Sequence, residues 1–343
     1  MISPNKSLKI SCSLIFVSLY LGQMVIFTIF ALKKRLIMKQ LLPILLFIFL
    51  TGCSATRQKS ENTRSMYYWR TQFMLNDTER RFLSEHGVSR LYVRFFDVVT
   101  DEQGQVVPNA TIAISDSFPR GIEIIPTVFI TNSCMNCNID HLPQMLLSRV
   151  LQMCETHDLG SIKELQIDCD WTMRTQQHYF NFLESLRQLA KTKGISLSTT
   201  VRLHQLSQSV PPVDRGVLMM YNTGDFTRID CEHPILDLED VKQYMPKLSR
   251  YDLPMSVAYP LFTWRILFRR GRYVGIIHKD DELLVLPGDT VVVRQPDLQH
   301  ILMAKKRVGQ LRPELNQEVI LYDLQDKNLT RFNSDDYEEI FNY

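Results

Sequence analysis

Residues 162–203 read IKELQIDCDWTMRTQQHYFNFLESLRQLAKTKGISLSTTVRL, and this stretch decides the fold class. Ile162 to Asp168 is a short run of apolar and β-branched residues, the composition of a buried strand. Gln176 to Lys193 places Tyr179, Phe180, Leu183, Leu186 and Leu189 on one helical face, with Arg187, Lys191 and Lys193 on the other. Ser196 to Leu203 returns to a strand pattern. Strand, helix and strand in immediate succession form a βα unit.

The same alternation continues in both directions. Strand-like runs precede the unit at Met66 to Phe73, Arg90 to Val98 and Ile122 to Ile130, and follow it at Gly216 to Tyr221, Met255 to Phe262 and Glu318 to Tyr322. Helical spacing recurs at Asp77 to His86, Leu142 to His157 and Leu238 to Tyr251. Eight strands with intervening helices predict an α/β fold of the (β/α)8 TIM-barrel type over 66–343. No glycine-rich loop follows the first strand, which argues against a dinucleotide-binding sheet. Leu267 to Arg312 breaks the rhythm and reads as an irregular, β-rich insertion on the seventh βα loop.

The N-terminus follows another logic. From Met38 the chain runs MKQLLPILLFIFLTGC: a lysine, an apolar run too short to span a bilayer, then Leu50-Thr51-Gly52-Cys53. Small residues before a cysteine resemble the bacterial lipobox, in which the thiol takes up a diacylglycerol. Residues 1–53 are therefore expected to be a lipoprotein leader and Cys53 the lipidated residue, with 54–65 a polar tether. Upstream, Ile10 to Leu32 is long enough to cross a membrane and is followed by Lys33, Lys34 and Arg35. The preferred reading starts translation at Met38; the rival makes this stretch a transmembrane helix. The expected location is the bacterial cell envelope, with the outer membrane favoured and, on the preferred reading, a membrane partner reached through Cys53; on the rival reading the lipobox goes unused.

The formal charge of +2 comes from that leader, which carries six of the 39 basic residues and no acid, leaving 33 against 37 acids, about −4 for the remainder. Such a chain offers no basic field for nucleic acid. Hydrophobic residues at 45% suffice for a large core.

In a βα barrel, chemistry gathers where the strands end. The fourth strand ends in Asp168 and Asp170, two apart and so expected on one face, where mutual repulsion would raise one pKa. Asp170 is then the expected general acid and Asp168 its partner, with His204 a second proton carrier. Candidate ligand contacts are Arg70, Arg94, Trp171, Arg202, Tyr221, Asn222, Tyr259 and Trp264; Gln72, Asp97 and Asp323 also stand at strand ends. Aromatic rings among carboxylates and guanidiniums suit a sugar cleft. The competing reading makes pairs such as Arg94 with Asp97 structural.

Residues 165–172, LQIDCDWT, resemble the fourth-strand D-x-D-x-E signature of family 18-type glycoside hydrolases. Asp168 and Asp170 match its aspartates, while Thr172 stands where that family has its catalytic glutamate, and a threonine hydroxyl cannot protonate a leaving oxygen at useful pKa. Taken in order, LQIDCDWT, YFNFLESLRQLA, ISLSTTVRLHQL, PPVDRGVLMMYNTGD and LPMSVAYPLFTW resemble a bacterial barrel family of unknown function, glycosidase-like in outline and often carried on lipoproteins. The resemblance implies a barrel and an envelope setting, and with them a carbohydrate or glycoconjugate as ligand, either cleaved or merely bound; a structural envelope role is the third reading.

Cys134-Met135-Asn136-Cys137 superficially suggests a redox pair. One CxxC within a continuing barrel pattern reads instead as a local disulfide or two thiols, and with His141 alone it makes no zinc site. Cys154, Cys169 and Cys231 read as core or loop residues. No cofactor and no metal are expected.

Overall fold

The computed structural model describes residues 62–277 and 283–342. The leader, Cys53, the Met38 start and most of the tether lie outside them. Among the described residues, no helix is long and apolar enough to cross a membrane.

Eight parallel strands close into the predicted barrel. In chain order they are β1 (Thr63–Tyr68), β3 (Arg90–Thr100), β6 (Glu123–Ile130), β7 (Glu164–Asp168), β8 (Ser196–Arg202), β9 (Arg215–Met219), β10 (Met255–Pro260) and β14 (Glu318–Tyr322). Each pairs with the next, and β1 closes the ring by pairing with both β3 and β14. Short side elements are β2 (Gln72–Phe73), β4 (Val106–Asn109) and β5 (Ala113–Ile114). The connecting helices include α1 (Asp77–Glu85), α2 (Leu142–Thr156) and α3 (Gln176–Lys191). Asn76 starts α1 with a reciprocal capping box to Glu79. The single helix expected over Leu238 to Tyr251 forms as two short ones, α4 (Leu238–Lys242) and α5 (Met245–Leu248). Pro246 explains the interruption: it has no N–H to continue the first helix.

The seventh loop carries the expected insertion, a three-stranded antiparallel sheet of β11 (Trp264–Arg269), β12 (Arg272–Ile276) and β13 (Asp289–Arg294), followed by α6 (Leu298–Leu311). After β14 come α7 (Asp326–Leu329) and α8 (Ser334–Phe341).

The tether boundary needs correction. Thr63, Arg64 and Ser65 belong to β1, with Thr63 opposite Glu318 and Ser65 opposite Arg90. Their polarity looks like linker but is satisfied at long range. Arg64 bonds both carboxylate oxygens of Glu338 at 2.8 Å, and Ser65 donates to Glu318 at 2.7 Å. The first strand also stops at Tyr68, well before Phe73.

Alternation along the strands sorts the side chains. A large apolar layer lies between strands and helices. Inside the barrel, a smaller cluster joins Tyr67, Tyr92, Ile125, Val217, Met219, Ala258 and Ile320. Beneath it, at the N-terminal ends of the strands, the interior is charged rather than filled with branched apolar groups. Arg215 pairs with Glu318 and with Glu164 (3.3 Å), and Arg90 bonds Glu123 (2.9 Å) and Glu318 (3.4 Å). Ser256, Ser65 and Tyr92 also donate to Glu318, and Ser198 to Glu164.

Candidate functional site

The inward positions of the strands run two apart, so their order can be read upward from the charged floor. On β1 they are Ser65, Tyr67 and then Trp69; on β7, Glu164, Gln166 and Asp168; on β8, Ser198, Thr200 and Arg202; on β14, Glu318, Ile320 and Tyr322. The uppermost member of each series opens into a cavity of about 550 Å3 at the C-terminal ends of the strands.

One wall is aromatic. Tyr322 lies 5.3 Å from Tyr221 and 5.8 Å from Trp69 by ring centroids, and Phe262 stands 5.7 Å from Tyr322 and 5.5 Å from Trp264. Such spacing forms a continuous aromatic surface of half-buried rings. Asn222 turns the chain out of the sixth barrel strand with φ 55°, a left-handed conformation that asparagine tolerates better than most residues.

The rest of the lining is polar. Asp97 is bonded by Arg94 (Nε to Oδ1, 2.6 Å). Asp168 accepts from Thr200 Oγ1 at 2.6 Å and from Arg202 Nη2 at 3.0 Å. The same guanidinium reaches Asp170 through Nε at 2.6 Å. Burial alone would lower the Arg202 pKa, but Asp168 and Asp170 outweigh it and raise it, so the group stays charged. Burial lifts the Tyr221 hydroxyl well above its ordinary value; Arg202 opposes the shift, while Asp168, Asp170 and Asp323 add to it. Two buried donors in this region, Arg202 Nη1 and Gln166 Nε2, have no hydrogen-bond partner among the described residues. Asp323 is 2% exposed and accepts from Gln325 Nε2 at 2.6 Å and Asn328 Nδ2 at 2.8 Å.

The cavity brings together eight of the sequence candidates: Asp168, Arg94, Asp97, Arg202, Tyr221, Asn222, Trp264 and Asp323. Asp170 is outside its lining, with a side chain 56% exposed. The expectation of two bare, repelling carboxylates is corrected, because Arg202 bridges them. The alternation argument carried Asp170 too far, since β7 ends at Asp168. His204 stands outside the cavity lining, exposed in the short 3-10 turn Leu203–Ser207; partial burial and Arg202 lower its pKa, while Asp170 opposes them.

Three ligand candidates face elsewhere. Trp171 is 1% exposed and packs on Tyr179 and Phe180 of α3, so it is a core residue. Tyr259 alternates outward from Ala258 and donates to Asn316 at 3.1 Å. Arg70 lies one position past Trp69; it pairs with Glu79 at 2.8 Å and covers the Tyr68 ring. Thr172 spends its backbone N–H on Thr175 Oγ1 in the turn before α3, outside the cavity lining. The cavity residues missed from sequence are Trp69, Phe129, Phe262, Thr263, Tyr322, Gln325, Lys327 and Asn328. Counting by twos from Ser65, Ile125 and Glu318 would have found Trp69, Phe129 and Tyr322; the others sit on loops or on α7.

Cys134 and Cys137 are free thiols, as are Cys154, Cys169 and Cys231, so the local-disulfide reading of CxxC is not adopted. No group of three or more potential metal ligands occurs among the described residues.

No protein-family model and no curated protein matches the chain. Among solved structures it is similar to the spore cortex-lytic enzyme SleL of Bacillus megaterium, with a TM-score of 0.53 and 12% identity over 84% of this chain and 75% of that one. It is similar to a chitinase from Chromobacterium violaceum, with a TM-score of 0.55 and 11% identity over 81% of this chain and 98% of that one. A mutant of Ostrinia furnacalis Group II chitinase catalytic domain 2, in complex with penta-N-acetylchitooctaose, (NAG)5, matches with a TM-score of 0.50 and 11% identity over 82% and 95% of the two chains. At these identities the likeness concerns the fold alone, the (β/α)8 barrel.

Proposed function

We propose that the chain is a lipid-anchored envelope protein whose barrel mouth takes a carbohydrate or glycoconjugate. The observation that carries this reading is the cavity itself, in which Trp69, Tyr221, Phe262, Trp264 and Tyr322 share a lining with Asp168, Arg202 and Asp323. Aromatic faces stack on the C–H faces of pyranose rings, while fixed carboxylates and guanidiniums bind the hydroxyls. A purely structural role is disfavoured, because the mouth is an open cavity rather than a plugged one. One specific feature argues against the fourth-strand residues as the acid of any turnover: Thr172 stands in place of an acid, with Asp168 and Asp170 both held by Arg202.

Trp69→Ala should weaken binding of the best ligand on a glycan array by about ten- to a hundredfold, the range for losing one well-packed aromatic anchor. Trp171→Phe, a change in the core behind the fourth strand, should leave affinity unchanged. Equal losses in the two variants would move the ligand away from the cavity. The anchor is tested separately. Cys53→Ala should shift the protein from the membrane fraction to the soluble fraction, or leave the precursor unprocessed; wild-type fractionation and mobility would remove the lipid anchor.

A further inference from the structure

The cavity holds three carboxyl groups, and their partners differ. Asp97 is paired with Arg94 and Asp168 with Arg202, whereas Asp323 has no cation bonded to it among the described residues. Its oxygens are held by two amide donors, Gln325 Nε2 and Asn328 Nδ2. Asn328 is itself buried and fixed in α7, and donates to the Asp323 carbonyl as well.

The ring order places this carboxyl with respect to the others. From β14 to β7 there are four strand-to-strand steps through β10, β9 and β8, and four through β1, β3 and β6. Asp168 at the end of β7 and Asp323 just after β14 therefore stand across the mouth from each other. A ligand in the cavity lies between an ion-paired carboxylate and an amide-held carboxyl. Different surroundings for two facing carboxyls are what separates an acid from a charge stabiliser.

We infer that Asp323, rather than the fourth-strand pair, is the catalytic acid of the cavity, making the protein a glycoside hydrolase whose proton donor sits just past the end of the eighth strand. The inference rests on the carbohydrate reading above. In the reaction, the Asp323 carboxyl gives its proton to the glycosidic oxygen as the bond from that oxygen to the anomeric carbon breaks. The electron pair leaves with the oxygen, which departs as an alcohol. A water oxygen bonds to the anomeric carbon, and the proton it releases restores the Asp323 carboxyl. Asp168 faces the positive charge that develops on the sugar.

The surroundings of Asp323 suit the task. Burial raises its pKa to about 6, against the lowering effects of the Gln325 hydrogen bond, Lys327 and Arg70. Other groups in its surroundings are the Tyr322 and Tyr221 hydroxyls, which its charge pushes upward, and Glu79 of α1, which accepts from the Asp326 N–H.

The test starts from the glycan array. Glycans bound by the wild type are incubated with it, and new reducing ends are measured. Asp323→Asn should keep binding but lose turnover by about 10²- to 10⁴-fold, the usual contribution of a positioned acid. Wild-type kcat/KM should fall as pH rises through about 6, where the acid loses its proton. Gln325→Met removes a donor that favours the ionised form, so the falling limb should move to higher pH; this variant serves also if Asp323→Asn folds poorly by circular dichroism. Full turnover in Asp323→Asn, a pH limb unmoved in Gln325→Met, or a wild type that binds glycans and cleaves none would each overturn the assignment while leaving glycan binding intact. A wild type that binds no glycan overturns the carbohydrate reading and this one with it.

Discussion

Arg215→Met is expected to destabilise the barrel by about 3–5 kcal/mol, the cost of leaving buried charges without their partner. Among the described residues, Arg215 is the one cation joined to both Glu164 and Glu318 at the floor of the barrel, and it also donates to Ser256. Burial alone would raise the Glu318 pKa, but Arg215, the Ser256 and Ser65 hydroxyls and Arg90 outweigh it and hold it below the ordinary carboxylate range. At Glu164 burial wins over Arg215 and Ser198, and the pKa is raised. Without Arg215, both acids must either stay charged in a dry layer or take up protons on folding. Because the folded pKa of Glu318 is depressed, its stabilisation is present above the unfolded pKa and is lost as pH falls through the folded one. The difference between wild type and variant should therefore be largest near neutral pH and shrink towards pH 4. Arg187→Met removes a half-exposed pair with Asp214 and should cost about 1 kcal/mol or less. Urea denaturation of both variants decides the matter; equal, small effects would show that the floor network contributes little.

Asp323→Asn is expected to raise stability at pH 7 while removing the proposed acid. The folded carboxyl has its pKa raised from 3.8 to about 6 by burial, so between those values the folded state binds the proton more tightly than the unfolded chain does. Its favourable contribution is complete below the unfolded value and is lost as pH rises through about 6, a penalty of about 3 kcal/mol at neutral pH. An amide escapes that penalty but matches its two donors imperfectly, which offsets about 1 kcal/mol. A net gain of about 2 kcal/mol at pH 7, turning into a loss of about 1 kcal/mol below pH 4, is the expected result of parallel denaturation curves. A variant equally destabilised at both pH values would mean that Asp323 serves the fold. A gain in stability joined to a loss of turnover is the trade expected of a functional group held against its own preference.

Much of this architecture was legible before any coordinates. Ile167, Val201, Val217 and Ile320 mark strands because β-branched side chains suit a pleated, buried surface, and Leu183, Leu186 and Tyr179 mark a helix by their spacing. Those are local properties, so the eight strands and the interrupting insertion followed from them. The first strand was misjudged because its opening residues are polar. Arg64 and Ser65 find Glu338 and Glu318 only after the chain has closed on itself, and nothing near them in sequence announces those partners.

The site divided along the same line. Residue type and strand ends sufficed for Asp168, Arg202, Arg94 and Tyr221, since period-two alternation holds while the strand lasts. It fails past the end of β7, where Asp170 leaves the cavity, and it misleads where a strand end is misplaced: β1 stops at Tyr68, so the cavity position is Trp69 and not Arg70. The sequence by itself determined the strand periodicity, and with it the barrel and the end of the barrel at which chemistry gathers. Only the tertiary structure decided which carboxyl is ion-paired and which is held by amide donors. Arg202 lies 34 residues from Asp168 in sequence, and Asp323 stands opposite that pair only because the eighth strand closes against the first. Burial and ion pairing are sums over neighbours in space, and those neighbours are set by ring closure rather than by any local run of residues.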